Sequence, residues 1–554
     1  MVTCPGCGQS MRFDPGKGLL VCDYCDTTLD PNQATGDVYA ESHPDDTAFA
    51  AAEESLAQAP ATFSGTLFTC PQCGGEIFSD SDTAVTFCSY CGVSVELQSR
   101  TVQMMAPSAV IPFKLTKDQV KETYKKFIGK ALFAPNYMKE EGQLDKLRGI
   151  YMPYWVYEVE YEGPLAFKGK KSYRRGDYII TDHYNLDTSI AINYKGTAFD
   201  ASSSFSDVYS EAIAPFNVKA SVEFSNTYLS GFYADTADVK SQVYESECKS
   251  VVGADVGNGM VKMYPEFSRY NVSDAGDTVS QLLDVKDAKM AYFPVWFMSV
   301  RHNGRISYAV INGESGKVAA DVPIDFKKYL LGALITAVPI ALILNFLVTL
   351  TPSMVNIIGI IFAVIGFIIC NNKMNLIYTR QFGFDDKGLM STRDIVAPVQ
   401  QPVNNQNKVK TTKSGGLSGV GSMFLTISII LIYVGIEMEY YGLLLGGFVT
   451  LVVSLVMMAA GSTTTNPRAT AKTDKAVVFK KPMGEKMGTL WKPLAAIIIG
   501  TLLLIINPFR DIVYYAGVLV MAVFVLLSLF DIVRLHNELT THLPRQFNKR
   551  GGDE

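Results

Sequence analysis

Basic side chains are nearly missing from the first hundred residues. Only Arg12, Lys17 and Arg100 occur there, against 14 Asp and Glu, a net charge of −11. Proteins that bind nucleic acid gain much of their affinity by neutralising phosphates with Lys and Arg. A segment of this charge repels phosphate, so no nucleic-acid partner is expected for it. Histidine is also scarce. His43, His183, His302, His536 and His542 are scattered, and there is no HExxH, no Walker A loop and no GxSxG. The chain is therefore read as a non-enzyme, with no catalytic residues, no organic cofactor and no small-molecule substrate identified. Met1 to Cys7 carry no basic n-region and no apolar core follows, so a secretory signal is not expected and the N-terminus is placed in the reducing cytosol.

Long apolar runs are missing as far as about Asp325, and they dominate beyond Tyr329. At 554 residues the chain is long enough for several domains. The fold class read from it is multidomain: two small β zinc ribbons, an α+β, β-rich cytosolic region with a duplicated strand motif, and an all-α transmembrane region of six helices.

Ten cysteines in a reducing compartment point to metal rather than disulfides. Eight form two sets, Cys4, Cys7, Cys22, Cys25 and Cys70, Cys73, Cys88, Cys91. Each reads C-x2-C-x14-C-x2-C, and the second repeats the first 66 residues later. Zinc takes four thiolates at tetrahedral corners, and a C-x2-C turn supplies two from one loop. Two structural Zn2+ ions are expected. Iron fits the same thiolates, with zinc the default, and the doubled spacing disfavours redox dithiols. Four Cys per ion leave no open coordination position, which argues against catalysis at the metal. Met11 and Phe13, then Asp14-Pro-Gly-Lys-Gly18, then Leu19 to Val21 read as a hairpin within the first set; Ile77 and Phe78, then Ser79 to Asp82, then Val85 and Phe87 do the same in the second. Gly8, Gly74 and Gly92 follow cysteines, where a knuckle backbone needs positive φ. Ribbon 1 spans 1–30, an acidic linker 31–65 with one short helix near Asp46 to Leu56, and ribbon 2 spans 66–100. Cys248 and Cys370 read as small buried apolar residues.

Residues 107–325 read as the α+β region. Thr116 and Gln119 form a capping box for a helix with Val120, Tyr124, Phe127 and Ala131 along one stripe. Tyr151-Met-Pro-Tyr-Trp155 and Tyr292-Phe-Pro-Val-Trp296 both fit Y-x-P-x-W-x7-G, ending at Gly163 and Gly304, and both continue as strands. They imply two related β units or one sheet with duplicated strands. Trp155 and Trp296 are core anchors or, alternatively, walls of an aromatic groove. Asn312-Gly313-Glu314-Ser315-Gly316 is a hairpin turn.

The knuckles Cys4-Pro-Gly-Cys7-Gly and Cys70-Pro-Gln-Cys73-Gly resemble the zinc-ribbon family, most closely the transcription-factor-IIB type. Together with IPFKLTKDQVKETYKKFIGKALFAP, GIYMPYWVYEVEYEG, YFPVWFMSVRHNG and NGESGKV ahead of membrane helices, they resemble a family of bacterial zinc-ribbon multi-pass membrane proteins. Its members are often mislabelled as primosomal helicase-like, and this chain has no helicase motif. The resemblance covers residues 1–325 and the membrane half only in kind. It implies protein partners at the membrane, since some members are associated with SPFH (flotillin-like) proteins, and it supplies no agreed active site.

Six apolar runs are long enough to cross a bilayer: 329–350, 354–371, 421–437, 441–460, 493–507 and 512–530. Residues 531–554 are left as a tail. The loops 372–420 and 461–491 hold seven and six Lys and Arg, whereas the opposite turns hold Glu437 and Glu439 and the single basic Arg510. The positive-inside rule therefore puts both termini in the cytosol, making this a multi-pass cell-membrane protein. The runs lack ionisable residues, Asn345 being their main polar exception, and Gly442 and Gly446 form a GxxxG pattern. Two function classes follow. The first is a membrane-anchored scaffold or adaptor that recruits proteins to the cytoplasmic membrane face, SPFH proteins by resemblance. The alternative is a transporter or channel with a regulatory zinc-ribbon domain.

Overall fold

The computed structural model describes residues 2–33, 62–79, 88–94, 98–263, 271–272, 274–347, 351–383, 385–392, 447, 483–506, 508 and 510–543. A small antiparallel sheet of β1 (Arg12–Asp14), β2 (Leu19–Val21) and β3 (Thr28–Leu29) holds the first cysteine set. Asp14 to Gly18 makes the turn, with the Gly16 and Gly18 amides hydrogen-bonded to Asp14 and Gly18 at φ +67°.

The other strands of the described residues join one twelve-stranded sheet, whose short members include β7 (Ala109–Val110), β10 (Val222–Glu223), β12 (Asn271–Val272) and β15 (Val318–Ala320). Its spine is β8 (Arg148–Arg175) against β13 (Asp284–His302), and these two strands carry the two Y-x-P-x-W copies. The copies are antiparallel neighbours: Tyr151 lies opposite Pro294 and Pro153 opposite Tyr292. Of the two arrangements the repeat allowed, the chain forms one sheet with duplicated strands. The Trp155 indole donates to Val239 O at 2.7 Å and that of Trp296 to Leu115 O at 3.2 Å. Both tryptophans are therefore anchored to the core, Trp296 buried and Trp155 partly buried, each indole meeting its one acceptor. Phe113, Tyr151, Phe232 and Trp296 form the aromatic centre, with Phe113 and Phe232 stacked at 4.3 Å. Gly149 admits that packing, because a Cβ there would lie 2.4 Å from Phe232 Cδ1.

Helix α1 (Lys117–Lys130) covers this centre. Thr116 and Gln119 make the reciprocal capping box, and Val120, Tyr124 and Ile128 are buried. Phe127 and Ala131 pack only partly, so the buried stripe runs one residue off the sequence expectation at its C-terminal end. On β8's other side lies β9 (Tyr178–Asp200), forming a long hairpin. Helices α2 (Asp207–Ile213), α3 (Glu245–Met263) and α4 (Ala275–Leu282) follow, and α3 and α4 pack beside that hairpin.

The second cysteine set is not a separate ribbon in space. Strands β4 (Thr62–Thr69), β5 (Glu76–Ser79) and β6 (Gln98–Met105) pair with one another. They join the main sheet through a two-residue strand, β11 (Tyr233–Ala234), which pairs with both β5 and β8. Strand β4 begins inside the stretch read as linker, because Phe63 and Leu67 pack into the shared core. The short helix expected near Asp46 lies outside the described residues, as do Val85 and Phe87.

Among the described residues four helices are long and apolar enough to cross a membrane: α5 (Phe326–Leu347), α6 (Pro352–Phe382), α8 (Met483–Ile506) and α9 (Asp511–Leu539). A short helix, α7 (Lys387–Thr392), follows α6. The runs 421–437 and 441–460, with Gly442 and Gly446, lie outside the described residues, as does the Asn345 side chain. α6 begins on a Thr351 cap and ends at Gly383 in the left-handed region, φ +70°.

The helices extend past the apolar runs read from sequence, and this corrects one expectation. Lys492 and Asp531 lie within α8 and α9, so ionisable groups are present in these helices, and Lys492 Nζ donates to Asp531 Oδ2 at 2.7 Å. An apolar run marks the surface a lipid can touch. It does not mark where a helix stops when two charges neutralise each other between helices. Asn356, fully buried in α6, is a further polar residue here, donating to Gly500 O at 2.8 Å.

Candidate metal centres

The fold brings all eight predicted cysteine ligands into two tetrads, each with its four sulfurs within 4.8 Å of one another. Within them Cys4–Cys25 and Cys7–Cys22 stand at 3.5 Å, and Cys70–Cys91 and Cys73–Cys88 at 3.7 Å. Tetrahedral coordination at about 2.3 Å per bond puts sulfurs about 3.8 Å apart, so both tetrads fit a metal ion held by four thiolates.

One backbone motif produces all four knuckles. The amide of the first cysteine donates to the carbonyl five residues on, as in Cys4 to Gln9 and Cys70 to Gly75, and the residue four positions on donates back to that cysteine's carbonyl. This residue must take positive φ. Gly8 (+73°), Gly74 (+74°) and Gly92 (+64°) do so, as the sequence indicated. Asp26 fills the fourth place at φ +55°, a position that sequence reasoning missed because Asp is a less obvious left-handed residue than Gly.

The electrostatics favour a cation at these places. Cys7 receives a backbone hydrogen bond from Gln9, yet desolvation and the sulfurs of Cys25, Cys22 and Cys4 push its thiol up to about 12. In the second tetrad Cys88 is raised by Cys70, Cys73 and Cys91 around it, with burial adding to the effect. Four thiols this close cannot all ionise without a positive charge among them. The tetrads differ in access: Cys7 and Cys25 are exposed, whereas Cys70, Cys73, Cys88 and Cys91 are all buried. Cys248 and Cys370 stand apart and are fully buried.

Below the second tetrad lies a polar pair that the sequence did not announce. Asp235, fully buried, accepts from Ser202 Oγ and from the Thr236 amide. Burial pushes its carboxyl up to about 7, against the hydrogen bond from Ser202 that lowers it.

Among the described residues no histidine joins the tetrads. His302 stacks on Tyr137 at 4.5 Å. His542 joins Asp321 and Tyr209 where the sheet meets the membrane helices, with its Nε2 2.9 Å from Asp321 Oδ2 and 3.3 Å from Tyr209 Oη. The Tyr209 hydroxyl also donates to Asp321. No spacing links these three residues in sequence, so only the fold reveals the cluster.

No family model matches the chain, and no solved structure matches it. It is similar to a Bacillus subtilis (strain 168) protein described as "Uncharacterized protein YdjG", with 24% identity over 316 residues, which is 47% of this chain and 91% of that protein. The described residues contain two cysteine tetrads positioned to hold metal ions, a β-rich region, and four helices consistent with membrane association.

Proposed function

We propose that this chain is a membrane-anchored adaptor whose two zinc-bound ribbons and β sheet hold other proteins at the cytoplasmic face. In this reading six helices span the bilayer, both termini are cytosolic, and each tetrad binds one structural Zn2+. Such an ion cross-links two knuckles of a small ribbon and supplies much of its folding energy. With Cys at all four positions, its shell is closed to substrate.

The observation that carries the reading is mechanical continuity. The second tetrad's strands belong to the same sheet as β14 (Arg305–Asn312), and Ile306 of β14 exchanges both backbone hydrogen bonds with His542, just past α9. A partner docked on the second tetrad's strands is thereby tied to the membrane helices through one continuous sheet. An SPFH protein is the specific partner suggested by family resemblance.

The transporter alternative draws on the buried Asp531. Its partner Lys492 neutralises it, and between Asn356 and Ser528 the described helix core is filled by Ile360, Ala363, Phe367, Ile497 and Met521. Both facts favour the anchoring reading.

The test compares proteins co-purified in mild detergent with the full chain, with Cys4→Ser, and with residues 2–33 deleted, leaving the main sheet whole. A candidate SPFH partner co-expressed with each should leave the membrane fraction in the two altered forms. Equal retention by all three would remove the first ribbon as the docking surface. Solute flux in reconstituted vesicles would replace the adaptor reading with transport. Metal analysis should find two zinc ions per chain.

A further inference from the structure

Strand β9 is an edge strand of unusual length. β8 and β9 run to 28 and 23 residues, where strands of globular proteins usually have 3–10. β9's inner edge pairs with β8 from Tyr178 to Asp200, and among the described residues no strand lies along its outer edge. Proteins normally protect such an edge with proline, lysine, a bulge or brevity. Between Tyr178 and Tyr194 there is no Pro, Lys, Arg or Gly. The first irregularity comes at Gly196, φ +103°, where the register against β8 shifts.

The hairpin's far end adds a second observation. From Lys170 to Arg175 every β8 residue is exposed. Residues paired across the hairpin share a face, so Tyr173 and Ile180 lie with Arg175 and Tyr178. Nearer the body that same face of β9 carries Leu186, Ile190, Ile192 and Tyr194, packed in the core that α3 completes. The apolar face therefore continues past its cover, and Tyr173 and Tyr178 are 46% and 77% exposed.

We propose that β9 pairs antiparallel with β9 of a second copy of this chain, about a two-fold axis at Asn185. An isologous contact of this kind uses one surface twice. In this register Tyr178 faces the partner's Ile192, Ile180 the partner's Ile190, and Tyr184 the partner's Leu186. On the opposite face Asp187 meets the partner's His183. The bare Tyr178 and the half-buried Ile180 then lie beside apolar residues already packed in the core that α3 completes, and the acidic and imidazole side chains of the opposite face complement each other. A slip by one residue would put Tyr178 and Ile180 against the polar face. Pairing would merge two main sheets into one. The proposal is independent of the adaptor reading: a dimer can form whether or not the ribbons dock a partner.

The test uses the full-length chain in its membrane and in detergent. Asn185→Cys should cross-link to itself with a short bismaleimide. Ser189→Cys should not, because its counterpart would lie about 26 Å away at roughly 3.3 Å per residue. Tyr178→Lys with Ile180→Lys, both at the tip and outside the monomer's core, should raise the dimer dissociation constant at least tenfold by mass photometry while leaving the melting temperature of the monomer unchanged. A chain monomeric at all concentrations overturns the proposal, as does equal cross-linking at Asn185→Cys and Ser189→Cys. So does a dimer indifferent to the two lysines. A monomer that binds anionic vesicles through the tip would assign the edge to a lipid surface instead.

Discussion

His542 Nε2 lies 2.9 Å from Asp321 Oδ2, and this contact joins the two ends of the membrane region to the sheet. Asp321 stands just before α5, the first membrane helix, and His542 just after α9, the last described one. Around them Arg305 donates to the Glu538 carbonyl at 2.9 Å and to the Thr541 carbonyl, and Arg380 of α6 lies 3.8 Å from Asp321. The main sheet and three of the long apolar helices thus share one polar knot.

Asp321→Ala should loosen that knot. It leaves the Tyr209 hydroxyl and His542 without their shared acceptor in a mostly buried place, and removing one member of such a cluster costs about 3 kcal/mol. Asp321→Asn keeps an acceptor and should cost less. Thermal unfolding in detergent measures both, and limited proteolysis should open the chain near residue 322. An Asp321→Ala protein that melts with the parent would show the knot to be dispensable.

The two tetrads should respond unequally to damage. Cys4→Ser disrupts a three-stranded sheet of its own, which packs on the rest through Val2, Met11, Phe13 and Leu20, with Phe13 against Tyr228 and Phe232. Cys70→Ser disrupts strands woven into the main sheet. The first change should lose one zinc with a small fall in melting temperature; the second should lose one zinc and lower it by well over 5 °C. A chelator should strip the exposed first tetrad before the buried second. Equal rates of zinc release would contradict the difference in access.

Asp235 supplies a pH dependence with a definite sign. Its carboxyl sits at about 7 in the folded protein, against 3.8 ordinarily. Below pH 4 both folded and unfolded chains hold the proton, and its contribution to stability is fully present. As pH rises toward 7 the unfolded chain releases the proton while the folded chain keeps it, so stability is lost, by up to about 4 kcal/mol. Asp235→Asn imitates the protonated acid, accepting from Thr236 and donating to Ser202. Melting curves from pH 5 to 8 should show a shallower slope for Asp235→Asn and a higher melting temperature at pH 8. Parallel slopes for the two proteins would refute this.

The parts of this molecule legible in its sequence are those written in local spacing. The knuckles, the Thr116 capping box and the strands after Tyr151 and Tyr292 depend on residues a few positions apart. The repeat also suggested two alternatives, and a pattern of one strand cannot choose between them; pairing Tyr151 with Pro294 across 143 positions decides it. Asp321, Tyr209 and His542 meet from three distant segments, so no window of sequence contains them. The second ribbon looked separable because its cysteines close on themselves, whereas Phe63 and Leu67, which tie it to the core, precede the first of them. Apolar runs do not show where these helices end, because Lys492 and Asp531 lie beyond the runs yet pair with each other inside α8 and α9.

Lys492 and Asp531 offer the sharpest distinction between anchoring and transport. Asp531 is 4% exposed, and its carboxylate is shared by Lys492 at 2.7 Å and Arg534 at 3.6 Å. Lys492→Met removes the nearer cation and leaves a buried carboxylate held only by the more exposed arginine. That should cost about 3 kcal/mol. Asp531→Leu should cost less, because the flexible lysine can turn its head toward the polar boundary. If the pair is structural, the double variant Lys492→Met with Asp531→Leu should recover most of the loss, since two apolar side chains of similar size can replace a buried ion pair. The coupling energy from the four proteins, measured by thermal stability in detergent, should then be about 2 kcal/mol. The double variant should also retain whatever proteins co-purify with the parent. A carboxylate that served ion coupling would behave otherwise: Asp531→Asn would hold its fold and abolish flux, and no change at Lys492 would restore it.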